Sequence, residues 1–395
     1  MKKLIKYIFH IDHWLITIFG FIILWILYAV VMNLSLFYPV KRALGNMSAT
    51  DFFFQITHEA SSVNQNITII DIQDEYNRGK IADCLSSVDS LKPWAIGVDI
   101  IFDNIKGEPK DSYKLFQTAE SMDSKVVWAS KLSDYNSKEK TFLDNNKSFF
   151  ADSLTLASGF TNLDDNLEHK TIRKMLTIEK LNGQNVNSFP MAIALALGDS
   201  ISSKTGQMLT IDYGTNFTIV PCDSVEKYKE LITNHIVLIG STTDESDMWL
   251  TPIGKMSGIA IQAYSLNTLR AHSDIKYNSF WADLLIAFIL CYLFELILDL
   301  GFQWLRRRNN VTSTLLIDSK LLLRVVTIII MTIVTLVILL MFVYNNKYID
   351  AVLILAALGM LIESRRIYNA TIKAFSKKYN WWILSNSLYN NNIFK

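Results

Sequence analysis

The sequence predicts an exported α/β domain with a largely parallel or mixed sheet, carried on about four transmembrane α-helices. Three observations predict it. Half of the 395 residues are hydrophobic, only 19% are charged and mean hydropathy is +0.23, whereas soluble domains carry about 25% charge. Long uncharged runs stand near both ends of the chain. Between them, short β-branched runs alternate with stretches of helical period, the signature of strand–helix–strand units. With 15 Gly and 6 Pro the chain is neither collagen-like nor disordered, and three cysteines are too few for a disulfide scaffold.

A membrane helix needs about 20 apolar residues. After a cytoplasmic N-terminus over residues 1–13, the first span covers residues 14–32, uncharged throughout. Its apolar run exceeds that of a secretory signal and no small-residue cleavage site follows, so it reads as an uncleaved anchor. The second span covers residues 280–304 and contains Asp283, Glu295 and Asp299. The third, residues 325–344, is uncharged; the fourth, residues 348–367, is built on the shorter run Ala351–Ile362. A cytoplasmic tail over residues 368–395 completes this division.

Flanking basic residues set the orientation. Lys2, Lys3 and Lys6, Arg306–Arg308, Lys320 and Arg324, and Arg365, Arg366, Lys373, Lys377 and Lys378 fall on one side of a four-span chain. Lys41, Arg42, Lys276 and Lys347 are the exceptions. Both termini are therefore expected in the cytoplasm, with residues 33–278 outside. That stretch holds 23 basic and 30 acidic residues, net −7, while the remainder is net +8. An acidic exported domain gives no support to nucleic-acid binding. Trp14, Tyr38, Trp281, Trp304, Tyr344 and Tyr348 supply interfacial aromatics.

Within the exported domain, Ile67–Ile72, Trp94–Phe102, Lys125–Ala129 and His235–Ile239 read as buried strands, with Met208–Tyr213 and Phe217–Val220 as shorter ones. Tyr76–Leu91 places Ile81, Cys84, Leu85 and Val88 on one helical face; Lys110–Ser121 and Pro190–Leu197 behave similarly. The polar stretch Ser133–Lys147 reads as a loop or surface helix, and Thr251-Pro252 with Gly254 as a turn. Cys84 sits on an apolar helical face, where a free thiol as core filler is common, or it pairs with Cys222 in an oxidising compartment.

Several segments in order carry a resemblance. They are Ile69-Ile70-Asp71-Ile72; Ala95-Ile96-Gly97-Val98-Asp99-Ile100-Ile101-Phe102; Gly159-Phe160-Thr161-Asn162, with Asp164, Asp165 and Ile172-Arg173 behind; and Ser188-Phe189-Pro190. Last comes His235-Ile236-Val237-Leu238-Ile239-Gly240-Ser241, followed by Asp247, Thr251-Pro252, Gly258 and Gln262-Ala263. Over residues 45–272 the chain resembles the CHASE2 domain, an extracellular sensor module of bacterial signalling proteins. The resemblance implies one N-terminal span, the sensor domain and three further spans. The family usually fuses a cytoplasmic output domain. Here about 30 residues follow the fourth span, so the resemblance leaves output to a separate partner.

Asp71, Asp99 and Asp103 end or follow predicted strands, and Gly240-Ser241-Thr242-Thr243 with Asp244, Glu245 and Asp247 follows another. Ligands of open α/β sheets sit beyond the carboxyl ends of strands. Asp71, Asp99, Ser241, Thr242 and Asp247 thus form a candidate site for a small polar ligand or a divalent cation. The same residues also suit helix caps and turns, and both readings stay open. Arg173, behind Asp164 and Asp165, reads as a structural ion pair. Glu295 and Asp299 lie four residues apart on one face of the second span, with Arg324 as the expected interhelical partner. The tail combines basic residues with Trp381-Trp382-Ile383-Leu384, suited to anionic membrane lipids or to a partner protein.

No catalytic signature is present in the sequence: there is no G-x-S-x-G elbow, no Walker loop and no Cys-x-x-Cys, and Ser62 stands where a zincin would place its second His after His58-Glu59. The expectation is therefore not an enzyme, without cofactor. It is a multi-pass subunit of a bacterial inner membrane that senses an extracytoplasmic ligand or protein and signals through a separate cytoplasmic or membrane protein. The alternative is a structural or assembly subunit of an envelope complex that uses the exported domain for docking.

Overall fold

β-Branched runs bounded by polar turns build the centre of a sheet, because a strand buried on both faces has no polar side to show. The computed structural model describes residues 7–33, 51, 54–55, 58, 62–73, 77–105, 108–163, 171–308, 320–345 and 347–376. In chain order the elements are α1 (Ile11–Asn33), β1 (Val63–Asp71), α2 (Arg78–Ser90), β2 (Ala95–Val98), α3 (Pro109–Ser121), β3 (Val126–Asn136) and β4 (Thr141–Lys147). Then come β5 (Ser158–Phe160), β6 (Lys174–Leu176), β7 (Ile178–Leu181), β8 (Gln184–Asn187), α4 (Phe189–Leu197), β9 (Met208–Thr210), β10 (Asn216–Pro221) and a 3-10 segment, Cys222–Leu231. β11 (Ile236–Gly240), β12 (Met248–Thr251), β13 (Gly254–Ser257) and α5 (Gly258–Ala271) precede the long helices α6 (Phe280–Arg308), α7 (Lys320–Asn345) and α8 (Ala351–Ser376). The chain divides into two units, residues 50–276 and residues 1–49 with 277–395.

In the first unit, nine strands among the described residues form one sheet in the order β10-β1-β11-β2-β3-β4-β7-β8, with β5 also on β3. β10, β1, β11, β2 and β3 run parallel. β4 returns antiparallel on β3, and β8 on β7, so the sheet is mixed. Alternate residues of each strand feed two cores. Ile70, Ile96, Val98, Val237 and Ile239 pack against Leu85 and Val88 of α2 and Leu115 of α3. Ile67, Ile69, Ala95, Ile236 and Leu238 pack against Phe189 and Ile193 of α4 and Ile259 and Leu266 of α5. The chain after β1 and β2 thus passes to one face, and the chain after β11, which lies between them, passes to the other.

Two expectations change here. Ser133–Lys147 is not a loop or surface helix: β3 continues to Asn136 and pairs with β4. Most of its side chains are polar and exposed, so the hairpin rests on backbone pairing and has no apolar period to announce it. α5 was not among the expected helices. It is buried nearly all round, from Gly258 to Leu269, and such a helix lacks the polar stripe that reveals amphipathic ones. Cys84 of α2 and Cys222 form a disulfide, with Cα atoms 5.9 Å apart. Thr251 and Gly254 close the β12–β13 hairpin, where Gly254 has φ of 124°, a left-handed conformation that favours glycine.

In the second unit, three helices among the described residues are long and apolar enough to cross a membrane: residues 11–30, 280–305 and 323–345. The expected fourth span lies in α8, which forms 26 helical residues. It carries Glu363, Arg365 and Arg366 in its length, and by length and apolarity it is not one of the three. α1, α6 and α8 pack on one another. Trp14 of α1 stacks on Phe288 and Tyr292 of α6, with ring centroids 5.7 and 4.8 Å apart. Gly20 lets α1 approach α8: a Cβ there would lie 3.2 Å from Ser364 Oγ.

Candidate functional site

The opposed exits of β11 and its neighbours β1 and β2 make a topological switch point, where the chain leaves a crevice beyond the carboxyl ends of the strands. A cavity of about 710 Å³ opens there, within the usual size of a small-molecule site. Ile72 and Gln73 come from the end of β1, Asn77, Arg78 and Ile81 from the start of α2, and Asp99 to Asp103 from the end of β2. Glu108 and Asp111 come from the start of α3, Ser241, Asp244 and Asp247 from the chain after β11, and Ile259 from α5.

Each loop is fixed locally. Asn77 caps α2 by accepting from Lys80 N at 3.0 Å, and its amide donates to Asp111 Oδ2 at 3.0 Å. The buried Arg78 guanidinium donates to Ser112 Oγ at 3.0 Å and to the Asn104 carbonyl. It lies 5.6 and 5.5 Å from the ring centroids of Phe102 and Phe149, a cation–π arrangement. Ser241 Oγ accepts from Asp244 N at 3.1 Å. Asp247 accepts from Trp249 Nε1 at 2.9 Å and from Gly258 N, at the start of α5, at 3.0 Å. Burial raises its pKa, although these two bonds oppose the shift.

The candidate residues divide. Asp99, Ser241 and Asp247 line the cavity together. Asp71 and Thr242 do not line it: Asp71 Oδ1 accepts from Thr242 N and Gln73 N, each at 2.9 Å. Asp71 thereby ties the ends of β1 and β11, and it lines a smaller hollow of about 170 Å³ with Lys80 and Asp223. This is the turn-closing role that a strand-end Asp also suits. Asp99 is different. It is half-buried, it lines both the cavity and a smaller hollow of about 110 Å³ that contains Lys131, and no hydrogen bond to its carboxyl exists among the described residues. Burial, with Asp247 beside it, pushes its pKa up to about 7. Among the described residues no group of three or more His, Cys, Asp or Glu is arranged to hold a metal. Arg78, Asn77, Glu108 and Asp111 join this wall without any motif in the sequence; their signal is that α2 and α3 begin shortly after strand ends.

A second polar cluster lies in the helical unit. Arg365 of α8 donates to Glu295 Oε1 at 2.8 Å and to Asp299, both on α6. Tyr7 and Gln303 also donate to Asp299, and Tyr368 OH donates to Asp12 Oδ1 of α1 at 2.9 Å. His13 Nδ1 lies 3.7 Å from Glu295 Oε1, both side chains being fully buried. The interhelical partner of Glu295 is therefore Arg365, not Arg324. Arg324 is 70% exposed and pairs with Glu363 at 3.7 Å. Arg365 is the cation that α8 turns inward beside α6, a fact of helix packing that flanking charge does not reveal.

Arg173 forms its ion pair with Asp51, at 2.8 and 2.6 Å. Asp164, Asp165, the basic residues Lys2, Lys3, Lys6, Lys41, Arg42, Lys377 and Lys378, and Tyr38 and Trp381–Leu384 lie outside the described residues.

The family model for the CHASE2 domain matches residues 21–296, more than half of the chain. Comparison with curated proteins and with solved structures found no match.

Proposed function

Since the chain belongs to the CHASE2 domain family, a family of extracellular sensor modules, we propose that it is a membrane-bound sensor subunit. In this reading the switch-point cavity receives an extracytoplasmic ligand. The chain crosses a bacterial inner membrane four times with both termini cytoplasmic, α8 being the fourth crossing. It acts by binding rather than catalysis and hands the signal to a separate cytoplasmic or membrane protein.

The observation that carries the reading is the cavity itself: in a sensor-family domain, a crevice of about 710 Å³ stands at the topological switch point. The route onward is supported by the polar cluster, in which Arg365, Glu295, Asp299, Asp12 and Tyr368 join three helices. Such a junction has discrete packed arrangements, and a ligand shifts between them only through differential affinity.

Affinity purification of the full chain from crosslinked native membranes tests the output. A cytoplasmic or membrane regulator should co-purify. Recovery of envelope-assembly proteins alone would favour the docking role instead. Ligand-dependent enzymatic activity of the purified chain by itself would overturn the reading. For topology, an alkaline-phosphatase fusion should be active at Lys180 and inactive at Lys395; activity at Lys395 would contradict four crossings.

A further inference from the structure

The switch-point cavity has an unbalanced charge. Asp99, Asp103, Glu108, Asp111, Asp244 and Asp247 face it, against Arg78. Most of these groups already have work. Asp247 holds Trp249 and Gly258, Asp244 holds Ser246, Asp111 holds Asn77, and Glu108 pairs with Lys110 at 2.6 Å. Asp103 interacts within the protein as well. Asp99 is the exception: it lines the cavity and also a smaller hollow of about 110 Å³ shared with Lys131 and Asp247, and its carboxyl has no hydrogen-bond partner among the described residues. A carboxyl set into protein without a partner is costly to ionise unless a cation arrives.

Chemistry narrows the cation. Calcium takes six to eight oxygens, and among the described residues no metal-holding group exists. Much of the wall is apolar instead, with Ile72, Ile100, Ile101, Phe102 and Ile259. Arg78, the cavity's one lining cation among the described residues, already donates to Ser112 and Asn104 and is flanked by two rings, against six carboxylates, so the lining favours a cation over an anion.

We propose that the cavity binds an organic amine, its ammonium seated on Asp99 beside Asp247 and its apolar body lying along Ile100, Ile101, Phe102 and Ile259. The assignment rests on the sensor reading of this cavity and adds the ligand class. Binding is then coupled to pH. The pKa of Asp99 is raised to about 7, so an ammonium must displace a proton below that pH, while an alkylamine itself stays charged up to about pH 10. The other charged groups act around this titration. Asp247 and Asp244 face Asp99 from the chain after β11, and Asp103 from its own loop. Arg78 faces it from α2, Glu108 and Asp111 from the start of α3, and Lys131 from β3. Asp247, also raised by burial, moves the affinity in the same direction as Asp99, whereas Asp244 is lowered by its bonds to Ser246.

The test uses the full chain in lipid nanodiscs and tryptamine as probe, with 3-ethylindole as its uncharged counterpart and Ca²⁺ as an inorganic cation. Calorimetry should find tryptamine binding at pH 8, weaker by about tenfold at pH 6. Asp99→Asn should weaken it by tenfold or more at pH 8 and reduce the pH dependence to the part that Asp247 contributes, while the variant's own melting temperature does not fall. The proposal is overturned if tryptamine does not bind, if it binds Asp99→Asn equally well, if 3-ethylindole binds as tightly, or if Ca²⁺ alone binds. Failure of the sensor reading looks different. Tryptamine bound with the expected pattern but without effect on partner recovery upholds the ligand class and removes signalling. Asp99→Asn altering partner recovery while no amine binds keeps the sensor and overturns the class.

Discussion

Asp99 shows how one residue's setting carries both a cost and a use. Its carboxyl stands at the end of β2, level with Gly240 of the neighbouring β11, because Asp99 N donates to Ile239 O at 2.8 Å. Burial raises its pKa to about 7, above its unfolded value near 4. The sign of the linkage follows. Below about pH 4 both states hold the proton and nothing is lost. Between about pH 4 and 7 the unfolded chain releases its proton first, so stability falls as pH rises. Asp99→Asn should therefore stabilise the protein at pH 8 by about 1–3 kcal/mol and have little effect at pH 4. Melting curves at both pH values measure it. Destabilisation at pH 8 would mean that the ionised carboxyl has a partner. Asp71, two strands away, has the opposite setting: its oxygen accepts two backbone N–H groups.

At the scale of elements, α6 and α8 meet around one arginine. Arg365 is buried between Glu295 and Asp299, and removing one partner from a buried ion cluster costs about 3–5 kcal/mol because the remaining charges keep no compensation. Arg324, exposed and 3.7 Å from Glu363, belongs to the class of surface pairs that contribute about 0–1 kcal/mol. Arg365→Leu should thus lower the melting temperature of the detergent-solubilised chain far more than Arg324→Leu; equal effects would remove the junction from the account. What was legible in the sequence follows the same division between local and long-range causes. The strands at Ile67–Ile72, Trp94–Phe102, Lys125–Ala129 and His235–Ile239 were legible because burial on both faces demands unbroken apolar runs, and they appear as β1, β2, β3 and β11, although β2 ends at Val98 and residues 99–102 leave the sheet. α2 was legible from the spacing of Ile81, Cys84, Leu85 and Val88. The β3–β4 hairpin was not, since its exposed polar side chains leave only backbone bonds to specify it. Of the site, Asp99, Ser241 and Asp247 were legible as residues after strand ends. Arg78 and the partner of Glu295 were not, because both depend on which helix packs beside which.

For the chain as a whole, the cysteines report on compartment. Cys84 and Cys222 are 138 positions apart and are joined, while Cys291 is a buried free thiol in α6. Closing a loop of that length restricts the unfolded chain by about 4–5 kcal/mol, a large share of the stability of an ordinary domain. Disulfides of this kind form and persist in oxidising compartments and are rare where thiols are kept reduced. An exported domain therefore gains the bond, and the same domain retained inside the cell does not. Chain isolated from membranes and unfolded without reductant should accept one alkyl group, on Cys291, and three after reduction. A variant lacking residues 1–33, and so lacking the first apolar helix, should accept three without reduction. Cys84→Ala combined with Cys222→Ala should shift the denaturation midpoint of the full chain well below that of the oxidised protein. Three alkylated thiols in the unreduced membrane-derived chain would contradict both the bond and the export of the sensor domain, and an unchanged midpoint would show that the cross-link restricts little of the unfolded ensemble.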